Sequence, residues 1–82
     1  MTDKTSLLHE IGKTLYGMRW QAALARDLDV SASERKVRRW ASGEDAMPES
    51  AWLELARLLE TRAITLRELR NRISDAFPHL QI

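Results

Sequence analysis

QAALARDLDVSASERKVRRWASG, Gln21 to Gly43, reads as two helices joined by a tight turn. The first runs from about Arg19 to Leu28. Leu24 and Leu28 are four residues apart with Ala25 beside them, and the small Ala22, Ala23 and Ala25 let a second helix approach closely. DVSAS is polar and turn-like. The second helix ends near Ser42, where Gly43 supplies a residue that takes the left-handed conformation cheaply. Inside it, Val37 and Trp40 are three residues apart and share a face, which points them inward. The other faces carry Arg35, Lys36, Arg38 and Arg39, with Glu34 ahead of them. Two helices, a tight turn and a small residue at the crossing describe a helix-turn-helix.

The flanking sequence supplies helices to pack against this unit. Leu7, Leu8, Ile11, Leu15 and Tyr16 fall at spacings of three and four, which predicts a helix over about Ser6 to Tyr16, stopped by Gly17. GEDAM is a polar loop. Pro48 suits the first turn of a fourth helix, because its missing N–H has no intrahelical partner there anyway. Trp52, Leu55, Ala56 and Leu59 give that helix an apolar stripe to about Thr61. Thr65 and Glu68 match a capping box and predict the start of a fifth helix. Leu66, Leu69, Ile73, Ala76, Phe77 and Leu80 repeat along it until Pro78 ends it near Phe77. The expected architecture is all-α: one compact bundle of about five short helices, spanning residues 1–82.

Composition narrows the function classes. The chain has 82 residues, three Gly, two Pro and no Cys. Without cysteine there is no disulfide framework, thiolate metal site or cysteine nucleophile, which fits a reducing cytoplasm. No apolar run approaches the ~18–20 residues of a membrane span, and the start shows no signal-peptide pattern. His9 and His79 have no partner at ligand spacing, so no metal is expected, and no cofactor motif occurs. Ser, His and Asp occur in no spacing that suggests a nucleophile and its base, so no enzyme is expected. Net charge is only +1, yet the four cations from Arg35 to Arg39 are uninterrupted by an acid, while acids dominate from Glu44 to Glu54. A near-neutral total can hide a basic face. A basic run by itself is usually a solvated helix face; the helix-turn-helix around it is what turns the reading toward DNA. Trp20, Trp40 and Trp52 read as core, and the Arg-rich fifth helix (Arg62, Arg67, Arg70, Arg72) as a solubilising face.

LYGMRWQAALARDLDV, followed by VRRWASG and MPESAWLELARLL, resembles the small lambda-repressor and Cro-like helix-turn-helix proteins of bacteria and phages. The resemblance runs from about Leu15 to Arg62. It departs from the family in one respect. Asp29 stands at the turn glycine, and Val30 to Lys36 hold two residues more than the family places before its anchoring Ile or Val. The family register makes Ser33 the N-cap of the third helix. The capping-box pattern makes it Ser31, with Glu34 as partner.

What the resemblance implies is double-stranded DNA binding. Counted from Val37, it puts Glu34, Arg35, Lys36 and Arg39 at base-reading positions. Arg35 and Arg39, four apart on one face, are the expected readers, since Arg can hold guanine O6 and N7 with two hydrogen bonds. Lys36 is next and equally suits a phosphate. Arg38 is expected off that face, on backbone phosphate. Gln21 resembles the family glutamine that contacts phosphate and braces the recognition helix. Ser31, Ser33 and Ser42 are further phosphate donors, and Glu34 either accepts from cytosine N4 or caps the helix. The implied function is a bacterial or phage transcriptional repressor, cytoplasmic and nucleoid-associated, acting by operator occupancy. Apart from the resemblance, Phe77, Leu80 and Ile82 either finish the core or form a dimer seam with the C-terminal helix of about residues 66–77, and a homodimer is expected, with no small-molecule ligand evident. The alternative is a protein-interaction adaptor that keeps the fold without the DNA role.

Overall fold

The computed structural model describes residues 3–28 and 33–81. Among them lie four α-helices and no strand: α1 (Lys4–Tyr16), α2 (Trp20–Asp27), α3 (Glu34–Ser42) and α4 (Glu49–Ala76). The all-α expectation holds, and the expected count of five does not.

Helix α1 begins at Lys4, ahead of the predicted Ser6, because Asp3 caps it. The Asp3 carboxylate accepts from the Thr5 N–H at 3.1 Å and from the Ser6 hydroxyl at 3.2 Å, taking up a donor that the first turn leaves unpaired. Gly17 ends the helix at φ 81°. Helix α2 has no side-chain cap. Its start is fixed by packing instead: Trp20, its first residue, is 1% exposed.

Trp20 is seated there by Gly12. A Cβ added to Gly12 would lie 2.2 Å from a Trp20 ring carbon, so α1 can receive the indole only with hydrogen at that position. His9, one turn earlier on α1, meets the same indole edge-on at 5.3 Å. Leu8, Leu24, Leu28, Val37, Trp40, Ala41, Ala51 and Leu55 complete the buried core. Trp52, Ala25 and Met47 are partly buried against it. The prediction that all three tryptophans serve the core therefore stands. Helices α1, α2 and α3 pack mutually, and the first two turns of α4 close the core through Ala51 and Leu55.

The fourth and fifth predicted helices are one. Glu49–Ala76 is continuous for 28 residues, about 42 Å at 1.5 Å per residue. The Thr65–Glu68 capping box does not form. The Thr65 hydroxyl instead donates to the Thr61 carbonyl at 3.2 Å, as Thr61 donates to Arg57 at 3.1 Å. No Gly or Pro separates Thr61 from Thr65, so nothing interrupts the helix. Thr and Glu three residues apart occur in helix interiors as readily as at their starts, with the hydroxyl turned back to the i−4 carbonyl. Pro48 stands one position outside the helix as its N-cap, its carbonyl accepting from Ala51 N–H at 3.0 Å. At the other end Phe77 is the C-cap, as Pro78 predicts.

The second half of α4 leaves the core behind. From Ala63 to Ala76 no residue is buried. The molecule extends 51 × 27 × 22 Å with a radius of gyration of 15.6 Å, against about 12 Å for a compact domain of this length. A helical head thus carries a projecting arm.

Where arm meets head, three side chains lock together. The Tyr16 hydroxyl donates to Asp27 at 2.5 Å, Arg62 donates to the same carboxylate oxygen at 2.7 Å, and the Arg62 guanidinium lies 5.8 Å from the Tyr16 ring centre. Burial, then the Asp27 hydrogen bond and charge, push the Tyr16 pKa up to about 12, against an opposing pull from Arg62 and Arg26. Removing the proton would set a phenolate against a carboxylate. Tyr16 is the single tyrosine, so ultraviolet absorbance titration reads it directly. The expected midpoint is about 12, and a midpoint near the ordinary value would mean that Tyr16 is neither buried nor bonded to Asp27 in solution. The folded-state pKa exceeds the unfolded one, so this contribution is complete below about pH 10 and is lost as pH climbs toward about 12. Tyr16→Phe should flatten that alkaline loss.

Candidate nucleic-acid interface

Helix α3 is the most strongly two-sided element of the chain. Ser33 is its N-cap, in extended conformation, and its hydroxyl accepts from the Lys36 N–H at 3.1 Å. Of the two candidate caps, Ser33 is the one observed. Ser31, the other candidate cap, lies outside the described residues. Gly43 closes the helix at φ 84° in the left-handed region, with its N–H directed to the Trp40 carbonyl at 3.3 Å.

Val37 is fully buried and Trp40 and Ala41 nearly so. These three fix which way the helix faces. At about 100° per residue, Arg35 and Arg39 fall nearly opposite Val37. Glu34, Arg35, Arg38, Arg39, Ser42 and Glu44 line one shallow open groove on that outer surface. Arg38, expected off the face of Arg35 and Arg39, belongs to the same groove. Lys36 lies outside it, exposed on the flank of the helix. Gln21 sits in the first turn of α2, half-buried, on a different element from the arginines.

Two of the three groove arginines are tied to acids. Arg38 reaches back one turn to Glu34 at 2.6 Å. Arg39 meets Asp45 at 2.8 Å and Glu44 at 3.7 Å, and the Asp45 N–H donates to the Arg39 carbonyl at 3.3 Å. Arg35 and Lys36 make no ion pair with a described residue. Ser42 serves the loop: its hydroxyl donates to the Arg39 carbonyl at 3.1 Å and accepts from the Glu44 N–H at 3.4 Å. Both Ser33 and Ser42 thus have structural tasks already.

The acids lower the local charge without sealing the surface. Exposed ion pairs are worth about 0–1 kcal/mol, and both arginines here are exposed. A bidentate arginine–guanine contact is worth about 1–3 kcal/mol of discrimination. Ion pairs this weak would yield to an anionic partner that offers a stronger contact. Were α3 to meet a duplex, Asp45→Ala would raise affinity for every duplex by a few-fold, about the worth of one exposed pair, with the gain shrinking as salt rises. Unchanged binding at low salt would show that Arg39 does not meet DNA.

Sequence reasoning missed two supports of this surface. His9 is not an isolated histidine: its Nε2 lies 2.9 Å from the Ala41 carbonyl. A carbonyl only accepts, so Nε2 carries the proton. The bond pins the last turn of α3 to α1, and no local pattern signals it, since 32 residues separate the partners. The Asp45 latch is the second; an acid six residues beyond Arg39 signals nothing until the loop doubles back. Among the described residues no group of His, Asp or Glu is placed to hold a metal ion, and no helix is long and apolar enough to cross a membrane. Comparison with known proteins finds no match: no family model, no curated protein and no solved structure is significantly similar to the chain.

Proposed function

We propose that this protein binds double-stranded DNA sequence-specifically, with α3 in the major groove, and represses transcription by occupying its operator. One observation carries the reading: α3 buries Val37, Trp40 and Ala41 while Arg35, Arg38 and Arg39 line a single open surface on its far side. A helix anchored by one face and cationic on the other has the form of an element that enters a groove N-terminus first. Arg35 and Arg39 read bases. Arg38, Lys36 and Gln21 hold phosphates, which position the helix without specifying sequence. Glu34 braces Arg38. Occupancy of the operator is the mechanism proposed, since a bound head would stand in the path of polymerase.

The experiment is selection of bound sequences from a random duplex pool at near-physiological salt. Enrichment of a motif with guanines whose preference relaxes in Arg35→Ala or Arg39→Ala supports the reading. No retention of any duplex, even at low salt, sinks it. A second reading, a protein-interaction adaptor, draws on the exposed apolar residues of α4. It predicts no salt-dependent retention on a DNA column, where DNA binding predicts retention that falls steeply with salt.

A further inference from the structure

We infer that the projecting arm of α4 is a dimerisation seam that pairs antiparallel with the arm of a second copy of this chain. This goes beyond the DNA reading and does not depend on it.

Leu59, Arg62, Leu66, Leu69, Ile73 and Ala76 alternate at spacings of three and four along α4. That is the repeat with which one helix pairs with another along a narrow seam. It continues the face that buries Leu55 in the head. Beyond Arg62 the head ends, and Leu66, Leu69, Ile73, Phe77 and Leu80 stand 45–64% exposed. Leu80 is held over the helix end, its N–H donating to the Phe77 carbonyl at 3.0 Å. An arm of about four turns with no tertiary packing is marginal in water, since helices of about 12–15 residues rarely persist alone.

Area and charge select the occupant. Five large side chains about half exposed offer roughly 450 Å² of apolar surface per copy, and the aliphatic stems of Arg70 and Arg72 flank them. Two such faces together offer roughly 900 Å², below the ~1,200 Å² of a standard interface and in the range of a weak, reversible one. A lipid surface would call for a wide apolar face opposed by cations alone. Here Glu60, Glu68 and Asp75 are interspersed with Arg62, Arg67, Arg70 and Arg72, a mixed polar face suited to another helix in water.

Orientation follows from the head. The head covers this same face of α4 through Leu55. A parallel pair would bring two heads between the helices at one end and set Arg62 against Arg62. An antiparallel pair places the two heads at opposite ends. Leu69 then lies near the two-fold axis, Leu66 meets Ile73 of the second copy, and Phe77 of each arm reaches the Tyr16–Arg62 cluster of the other.

The test uses the full chain. Sedimentation equilibrium should show a reversible dimer, and Leu69→Glu should weaken association at least ~30-fold, the loss expected of a central interface anchor. Helical circular dichroism and the fluorescence of the three tryptophans serve as the folding control. The chain has no cysteine, so single-cysteine variants report geometry. Leu69→Cys should oxidise readily to a linked dimer. Ile73→Cys should not, because an antiparallel pair separates the two copies of that residue by about 12 Å along the seam, beyond disulfide reach. Equal cross-linking of both variants overturns the antiparallel seam, as does a dimer insensitive to Leu69→Glu. A wild-type chain that stays monomeric at several hundred micromolar, or that is recruited as a monomer to anionic vesicles, overturns the dimer. The DNA reading fails separately: a dimer that retains no duplex removes that reading and leaves the seam intact, while a monomeric wild-type chain that still binds one half-site supports the DNA reading alone.

Discussion

Gly12→Ala is expected to destabilise the protein by about 1–3 kcal/mol, the usual cost of forcing an extra group into a packed core. Helix propensity alone points the other way, since Ala is favoured over Gly by about 1 kcal/mol inside a helix. Packing wins because the new Cβ would lie 2.2 Å from the Trp20 ring, and Trp20 is 1% exposed, closed in on every side by the core. Trp20→Ala is expected to cost about 3–5 kcal/mol, a large share of the ~4–12 kcal/mol that a chain of this length holds. The informative measurement is the double variant. With the indole gone, the added methyl has room, and only the propensity gain remains. Gly12→Ala should therefore change sign, destabilising the wild type and stabilising Trp20→Ala in urea titrations. Additive effects would mean that the two residues do not meet.

Arg35→Ala with Arg39→Ala is expected to remove about 2–6 kcal/mol of binding on a selected site, some ~30- to 10⁴-fold, from two contacts of about 1–3 kcal/mol each. Both side chains are exposed and their neighbour Val37 is buried, so the thermal midpoint should fall by no more than the few degrees that the exposed Arg39–Asp45 pair is worth. That separation makes the result a statement about DNA. Salt dependence then assigns the contacts. Base readers leave the slope of affinity against salt nearly unchanged and flatten the preference at particular positions. Phosphate holders lower the slope by about one per arginine and weaken all sequences alike. Full retention of affinity and preference in the double variant would remove α3 as the reading element.

Much of the head is legible in local pattern. Helical spacing alone puts Leu24, Val37, Trp40 and Leu55 on the inner sides of their helices, and burial bears this out. Gly17 and Gly43 mark helix ends, and both have positive φ. The basic side of α3 follows once Val37 is fixed inward. The signals that mislead are equally local. Thr65 and Glu68 satisfy a capping pattern, but a cap needs a break in the chain before it. No Gly or Pro supplies one, so the pattern sits inside a helix of 28 residues.

The sequence by itself determined the helices of the head, their inward faces and the cationic side of α3, because these depend on neighbours within a turn or two. Only the tertiary structure decided the rest. It closed Gly12 on Trp20, joined His9 to Ala41, bound Tyr16, Asp27 and Arg62 into one cluster, and latched Arg39 to Asp45. It also showed that the amphipathic stripe beyond Arg62 faces solvent rather than the core. The physical reason is the same in each case. Side-chain spacing along a helix tells which residues share a face, whereas what that face meets depends on where the rest of the chain goes.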